Sequence, residues 1–227
     1  QEAYIGESFP VQSRMIISTK LRRVFVKSRS LRMIMALCLC FTLVFPATAL
    51  GAKEFSDTKG HWAISYIQDL ADQGYINGYP DGTFKPDRTM TKAEFTTALI
   101  GSLGITPSEP TKNSYPDTKS HWARKYIEEA VARGILVPSE STQLGPDQNI
   151  LRSQAAAMIV RALQLETSGG TSIFTDRDDV ERSLYSDEIK AAYDVGIISG
   201  FPDGSFAPYR EMTRAQVCTV LVKMLEV

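Results

Sequence analysis

One pattern recurs three times along the chain, about sixty residues apart. The first copy runs Phe55-Ser-Asp57, His61-Trp62, Gly74, Gly78-Tyr-Pro-Asp-Gly82, Pro86 and Thr91-Lys-Ala-Glu94. The second runs Tyr115-Pro-Asp117, His121-Trp122, Gly134, Pro146 and Leu151-Arg-Ser-Gln154. The third runs Phe174-Thr-Asp176, Gly196, Gly200-Phe-Pro-Asp-Gly204, Pro208 and Thr213-Arg-Ala-Gln216. Lys92, Arg152 and Arg214 hold the same place in each, 60 and 62 residues apart. Such a period marks a supersecondary unit that cannot bury its apolar face alone and packs on its neighbours.

Each copy predicts a helix, a glycine turn, an extended loop and a second helix. Trp62, Ala63, Tyr66, Ile67, Leu70 and Ala71 recur as one apolar stripe, repeated by Trp122, Tyr126, Ile127, Ala130 and Val131. Leu184, Ile189, Ala192 and Tyr193 supply the third. Gly74, Gly134 and Gly196 follow, where a left-handed cap is needed. Tyr79-Pro-Asp-Gly-Thr-Phe84 and Phe201-Pro-Asp-Gly-Ser-Phe206 are turn signals. Thr91-Lys-Ala-Glu94 and Thr213-Arg-Ala-Gln216 fit the capping box. Phe95, Ala98, Leu99 and Leu103 then face inward, as do Ala155, Met158, Ile159 and Leu163, and Val217, Val220, Leu221 and Leu225. The expected class is all-α.

Lys92, Arg152 and Arg214 break a local rule. A cation in the first helical turn opposes the helix dipole, at a cost of about 0.3–1 kcal/mol. Three such breaks in register point to function. A cation beside free helix N–H groups suits an anion.

Charge is divided unevenly. Residues 1–52 carry a net +5 and the remainder −6. The basic stretch leads into the apolar run Met33–Phe45, closed by Pro46 and followed by Ala47-Thr-Ala49. That order reads as a secretory signal peptide. Residues 1–14 precede the first methionine, Met15, the favoured start, and read as translated upstream sequence. Cys38 and Cys40 lie within the apolar run and leave with it, so Cys218 remains as a packed or free thiol. The acidic remainder argues against nucleic-acid binding.

These motifs together resemble the S-layer homology family, over about residues 53–227 in three tandem repeats: 53–112, 113–172 and 173–227. The resemblance implies one pseudo-threefold helical bundle with outward prongs. It implies non-covalent attachment to the cell wall through grooves that bind secondary cell-wall polysaccharide bearing a pyruvylated sugar. Carried over by motif, the binding residues are Lys92, Arg152 and Arg214, the opening Asp57, Asp117 and Asp176, the aromatic Trp62 and Trp122, and the loop Gly78 and Gly200. S-layer assembly is a further partnership it implies, with localisation at the cell wall and no membrane contact after signal cleavage.

Repeat two departs from the pattern. Pro138-Ser-Glu-Ser-Thr142 stands where the glycine loop would be, and Leu151 replaces the cap. Repeat three replaces Trp with Leu184 or Tyr185 and inserts three residues before helix one. Unequal grooves follow, with that of Arg214 expected to contribute most. His61 and His121 occupy equivalent positions, but repeat three has Ser183 there, so a structural role is favoured over a metal. No cofactor is called for. An enzyme acting on wall glycan would need a carboxylate pair across a cleft, and none is suggested. The alternative is a piece of a larger S-layer protein or wall-acting exoenzyme.

Overall fold

The computed structural model describes residues 53–167, 169 and 172–227. The signal-peptide reading, with Cys38 and Cys40, falls outside them. Among the described residues seven α-helices form: α1 Ile64–Asp72, α2 Lys92–Ser102, α3 Arg124–Ala132, α4 Arg152–Ala162, α5 Arg177–Arg182, α6 Ser186–Asp194 and α7 Arg214–Leu225. Short 3-10 turns span Pro116–Thr118 and Pro138–Glu140. The described residues form isolated β-bridges but no sheet. None of their helices is long and apolar enough to cross a membrane.

The three repeats close on themselves. The first helix of each repeat packs on the second helix of the one before: α3 on α2, α6 on α4, and α1 on α7. This is why one copy's stripe has no partner of its own. At the centre, the Met90 N–H donates to the Met212 carbonyl at 3.0 Å, that of Ile150 to Met90 at 2.9 Å, and that of Met212 to Ile150 at 3.1 Å. The three side chains are at most 1 % exposed. A ring of three bonds with one step per repeat gives the unit its pseudo-threefold character.

The glycine caps form as the sequence predicts. Gly74, Gly134 and Gly196 have φ of 76°, 71° and 79°, conformations that cost a side chain but not glycine. Both capping boxes are present, Thr91 with Glu94 and Thr213 with Gln216. In repeat two only half survives: the Gln154 side chain accepts from the Leu151 N–H at 3.2 Å.

The stripes need correction at their ends. Trp62 and Trp122 are 60 % and 59 % exposed, and Leu184 and Tyr193 are also exposed. Ala63, Ile67, Leu70 and Ala71 carry the burial in repeat one. Leu225, at the end of α7, is exposed as well. The short α5 fills the insertion of repeat three and buries Val180.

Candidate functional site

The three opening aspartates hold loops. Asp57 accepts from the Phe84 and Lys85 amides at 2.8 and 2.7 Å. Asp117 accepts from Leu144 and Gly145 at 3.2 and 2.7 Å. Asp176 accepts from Phe206 and Ala207 at 2.8 and 2.7 Å. In each pair the second residue has positive φ: Lys85 57°, Gly145 64° and Ala207 56°. A carboxylate bridging two successive amides offsets the strain of that turn.

The loop glycines serve close packing. A Cβ on Gly78 would lie 2.2 Å from Phe55 Cε1 and 2.7 Å from the Thr83 carbonyl oxygen. On Gly200 it would lie 3.0 Å from the Ser205 carbonyl oxygen and 3.1 Å from Phe174 Cε1. The opening aromatics of repeats one and three, Phe55 and Phe174, therefore lie against their own loops.

The held loops meet the helix starts of the preceding repeat. The N–H groups of Lys92 and Ala93 donate to the Gln148 and Pro146 carbonyls at 2.8 and 2.9 Å. Those of Arg152 and Ser153 donate to Arg210 and Pro208, and those of Arg214 and Ala215 to Arg88 and Pro86. The first helical donors are thus already satisfied. The expectation of free helix N–H groups beside the cations is overturned, because loop carbonyls occupy them.

The cations themselves cross the same junctions. Lys92 Nζ donates to the Leu144 carbonyl at 2.9 Å and to Gln148 Oε1 at 3.0 Å. Arg152 donates through Nε to the Phe206 carbonyl at 2.9 Å and through a terminal nitrogen to that of Ser199. Arg214 donates to the Phe84 carbonyl at 2.8 Å and the Asn77 carbonyl at 2.7 Å. The arginines also stack: Arg152 on Phe201 and Phe206, Arg214 on Tyr79 and Phe84. They are 7 % and 5 % exposed. Among the described residues none of the three cations has a carboxylate within ion-pair distance. Burial lowers the affinity of all three for a proton, holding Arg152 down to about 10, where Arg210 adds to the effect and Asp176 opposes it.

Loss of the repeat-two loop leaves Lys92 without an aromatic cover. A cavity of about 100 Å³ opens beside it, lined also by Tyr115, Glu140, Gln154 and Tyr185. Arg161 closes its far wall by pairing with Glu140 and Glu188 at 2.8 and 2.7 Å.

Trp62 and Trp122 lie beside the histidines, with ring centroids 5.4 and 5.3 Å apart. His61 Nδ1 accepts from the Ala63 N–H at 3.1 Å and His121 Nδ1 from Ala123 at 3.2 Å. Their Nε2 atoms face Asp87 and Asp147 at 3.4 and 3.2 Å. Ser183 plays the same part in repeat three, accepting from Tyr185 N–H at 3.3 Å, so Leu184 stands in the tryptophan position. No group of three or more metal-ligating side chains occurs among the described residues.

Sequence reasoning missed Arg88 and Arg210, which lie on the Tyr79 and Phe201 rings beside the motif arginines. Both stand four residues before the motif cation, with Gln148 at that place in repeat two. That offset was the available signal.

Three short repeats closed into a ring, with a buried or half-buried cation at each junction and exposed tryptophans on the first two, define the class as a closed repeat-built helical module. The profile of the S-layer homology domain matches residues 54–96, 114–156 and 174–218, and the chain belongs to that family. An endoglucanase of Bacillus sp. (strain KSM-635) is 32 % identical over 210 residues, 87 % of this chain and 22 % of the relative. A cellulosome-anchoring protein of Acetivibrio thermocellus is 38 % identical over 146 residues, 57 % and 33 % of the two chains. The S-layer protein EA1 of Bacillus anthracis is 29 % identical over 175 residues, 77 % and 20 %. The chain thus spans a third or less of the length of these relatives.

Proposed function

We propose that residues 53–227 attach the protein non-covalently to the cell wall by binding an acidic secondary wall polysaccharide in the grooves between repeats. The observation that carries this reading is the cation at each junction, buried or half-buried without a carboxylate partner. Charges so placed are costly unless a ligand supplies the counter-charge. A pyruvate ketal on a wall sugar would bring a carboxylate of suitable size. The exposed faces of Trp62 and Trp122 offer apolar platforms for pyranose rings. Family membership and the names of the S-layer and cellulosome-anchoring relatives support the same role, and with it a location at the cell surface.

A pull-down with purified wall polysaccharide, before and after removal of its pyruvate, tests the reading. Binding is expected to need the pyruvate and to survive a chelator. Equal binding after depyruvylation would refute the carboxylate-to-cation mechanism. Loss of binding in chelator, with the circular dichroism unchanged, would refute it as well.

A second reading rests on the lengths of the relatives, in which the matched stretch is a minor part. On that reading this segment attaches a larger S-layer protein or wall-acting exoenzyme. Sequencing the coding region on both sides tests it, and an adjoining catalytic or assembly domain is the expected result.

A further inference from the structure

The three junctions differ sharply in charge. At the junction of repeats three and one, Arg88 lies with Arg214 on the Tyr79 ring, but its guanidinium is paired with Glu94. Lys85, on the same ring, is paired with Asp81 at 3.5 Å. At the junction of repeats one and two, Gln148 replaces the second arginine, and Arg161 faces two glutamates.

The junction of repeats two and three is different. The guanidinium carbons of Arg152 and Arg210 both lie 4.7 Å from the Phe201 ring centroid. The two charges are therefore within roughly one Debye length, about 10 Å, of each other. The capping-box residue that neutralises Arg88 is Glu94; its counterpart in repeat three is Gln216, which carries no charge. Three acids stand nearby, and all are engaged. Glu211 accepts from the Asn149 side-chain amide at 2.9 Å. Asp176 bridges the Phe206 and Ala207 amides. Asp203 accepts from the Ser205 amide and hydroxyl at 2.9 and 2.7 Å, and approaches Arg210 without forming an ion pair.

We infer that the Arg152–Phe201–Arg210 cluster is the principal acidic-sugar site, with Arg210 its specificity-determining residue. The inference rests on the polysaccharide reading above. Arg152 is held by two backbone carbonyls and a ring, so it is a fixed charge. Arg210 is exposed and stacked, free to turn its planar fork toward a carboxylate arriving from solvent. Phe201 keeps the two guanidinia on a low-dielectric surface, where their attraction for an anion is strengthened. This order differs from the expectation that the Arg214 groove contributes most. Intact loops cover Arg152 and Arg214 alike; the difference is that Arg88 and Lys85, the cations neighbouring Arg214, are already paired.

The test is calorimetric titration with the methyl glycoside of an N-acetylhexosamine carrying a pyruvate ketal, and with the same glycoside lacking it. Arg210→Gln removes an exposed side chain and is expected to fold and melt like the wild type. It is expected to weaken binding of the ketal sugar about tenfold or more and to flatten the dependence on salt. Arg88→Gln is expected to bind like the wild type. If Arg210→Gln binds within twofold of the wild type, or Arg88→Gln loses as much, the inference falls and the polysaccharide reading stands. If the wild type binds neither sugar, or both equally, the two fall together.

Discussion

Replacing Asp176 by alanine should be costly to stability for a reason visible in the loop it holds. The carboxylate accepts from Phe206 and Ala207 at 2.8 and 2.7 Å. A hydrogen bond to a charged group is worth about 1.5–3 kcal/mol. Phe206 is fully buried, so its amide is left without a partner, whereas half-buried Ala207 regains water. One full and one partial loss come to about 3 kcal/mol. Some strain is relieved, since Ala207 is held at φ 56°. In a domain of this size about 3 kcal/mol lowers the melting temperature by roughly 10 °C. Asp57→Ala should cost somewhat less, about 2 kcal/mol: the buried Phe84 amide loses its partner in the same way, but Asp57 and Lys85 are both exposed and the second bond is replaced by water. Thermal melts followed by far-ultraviolet circular dichroism measure both. If Asp176→Ala melts within about 2 °C of the wild type, the clamp argument is wrong. A second readout follows from connectivity: the Phe206 carbonyl accepts from Arg152, so the same variant should weaken polysaccharide binding.

Gly78→Ala should destabilise the fold by about 2–3 kcal/mol and Gly200→Ala by less, because the first Cβ would meet a ring carbon at 2.2 Å and the second only a 3.0 Å contact; equal urea midpoints would contradict this. Glu94→Gln keeps a capping side chain of the kind that Gln216 supplies and frees Arg88. Titration with the ketal sugar should then show a second site, and an unchanged isotherm would refute the charge argument. Burial pushes the Cys218 thiol up to about 12, so a thiol reagent at pH 8 should label it only after unfolding in urea; rapid labelling of the folded protein would show that the site opens.

The repeat itself was legible because its signals are local. Glycine caps and the two capping boxes depend on backbone conformation at one or two positions, and those residues declare it. The destinations of long side chains were not legible. Lys92, Arg152 and Arg214 stand at helix starts in the sequence, yet their charged ends lie in the loop of the next repeat. That loop also fills the helix donors on which the anion argument had relied. Asp57, Asp117 and Asp176 reach amides 27 to 31 residues away, a pairing that no periodicity encodes. Trp62 and Trp122 joined the apolar stripes by residue type, but the chain is still entering the helix there and turns them outward. Arg210 escaped notice because its meaning lies in a ring it shares with a residue of another repeat.

The packing of α1 on α7 has a mechanical consequence. An open array of repeats loosens from its ends, one unit at a time, because a terminal unit has a single neighbour. Here the last helix is gripped by both helices of repeat one, α1 and α2, and Arg214 bonds to the Asn77 and Phe84 carbonyls. A pull on either end of the unit must break the contact between repeats one and three before any repeat can peel away. The load is therefore shared around the circle, a useful property for a module whose proposed task is to hold a protein on a surface exposed to shear.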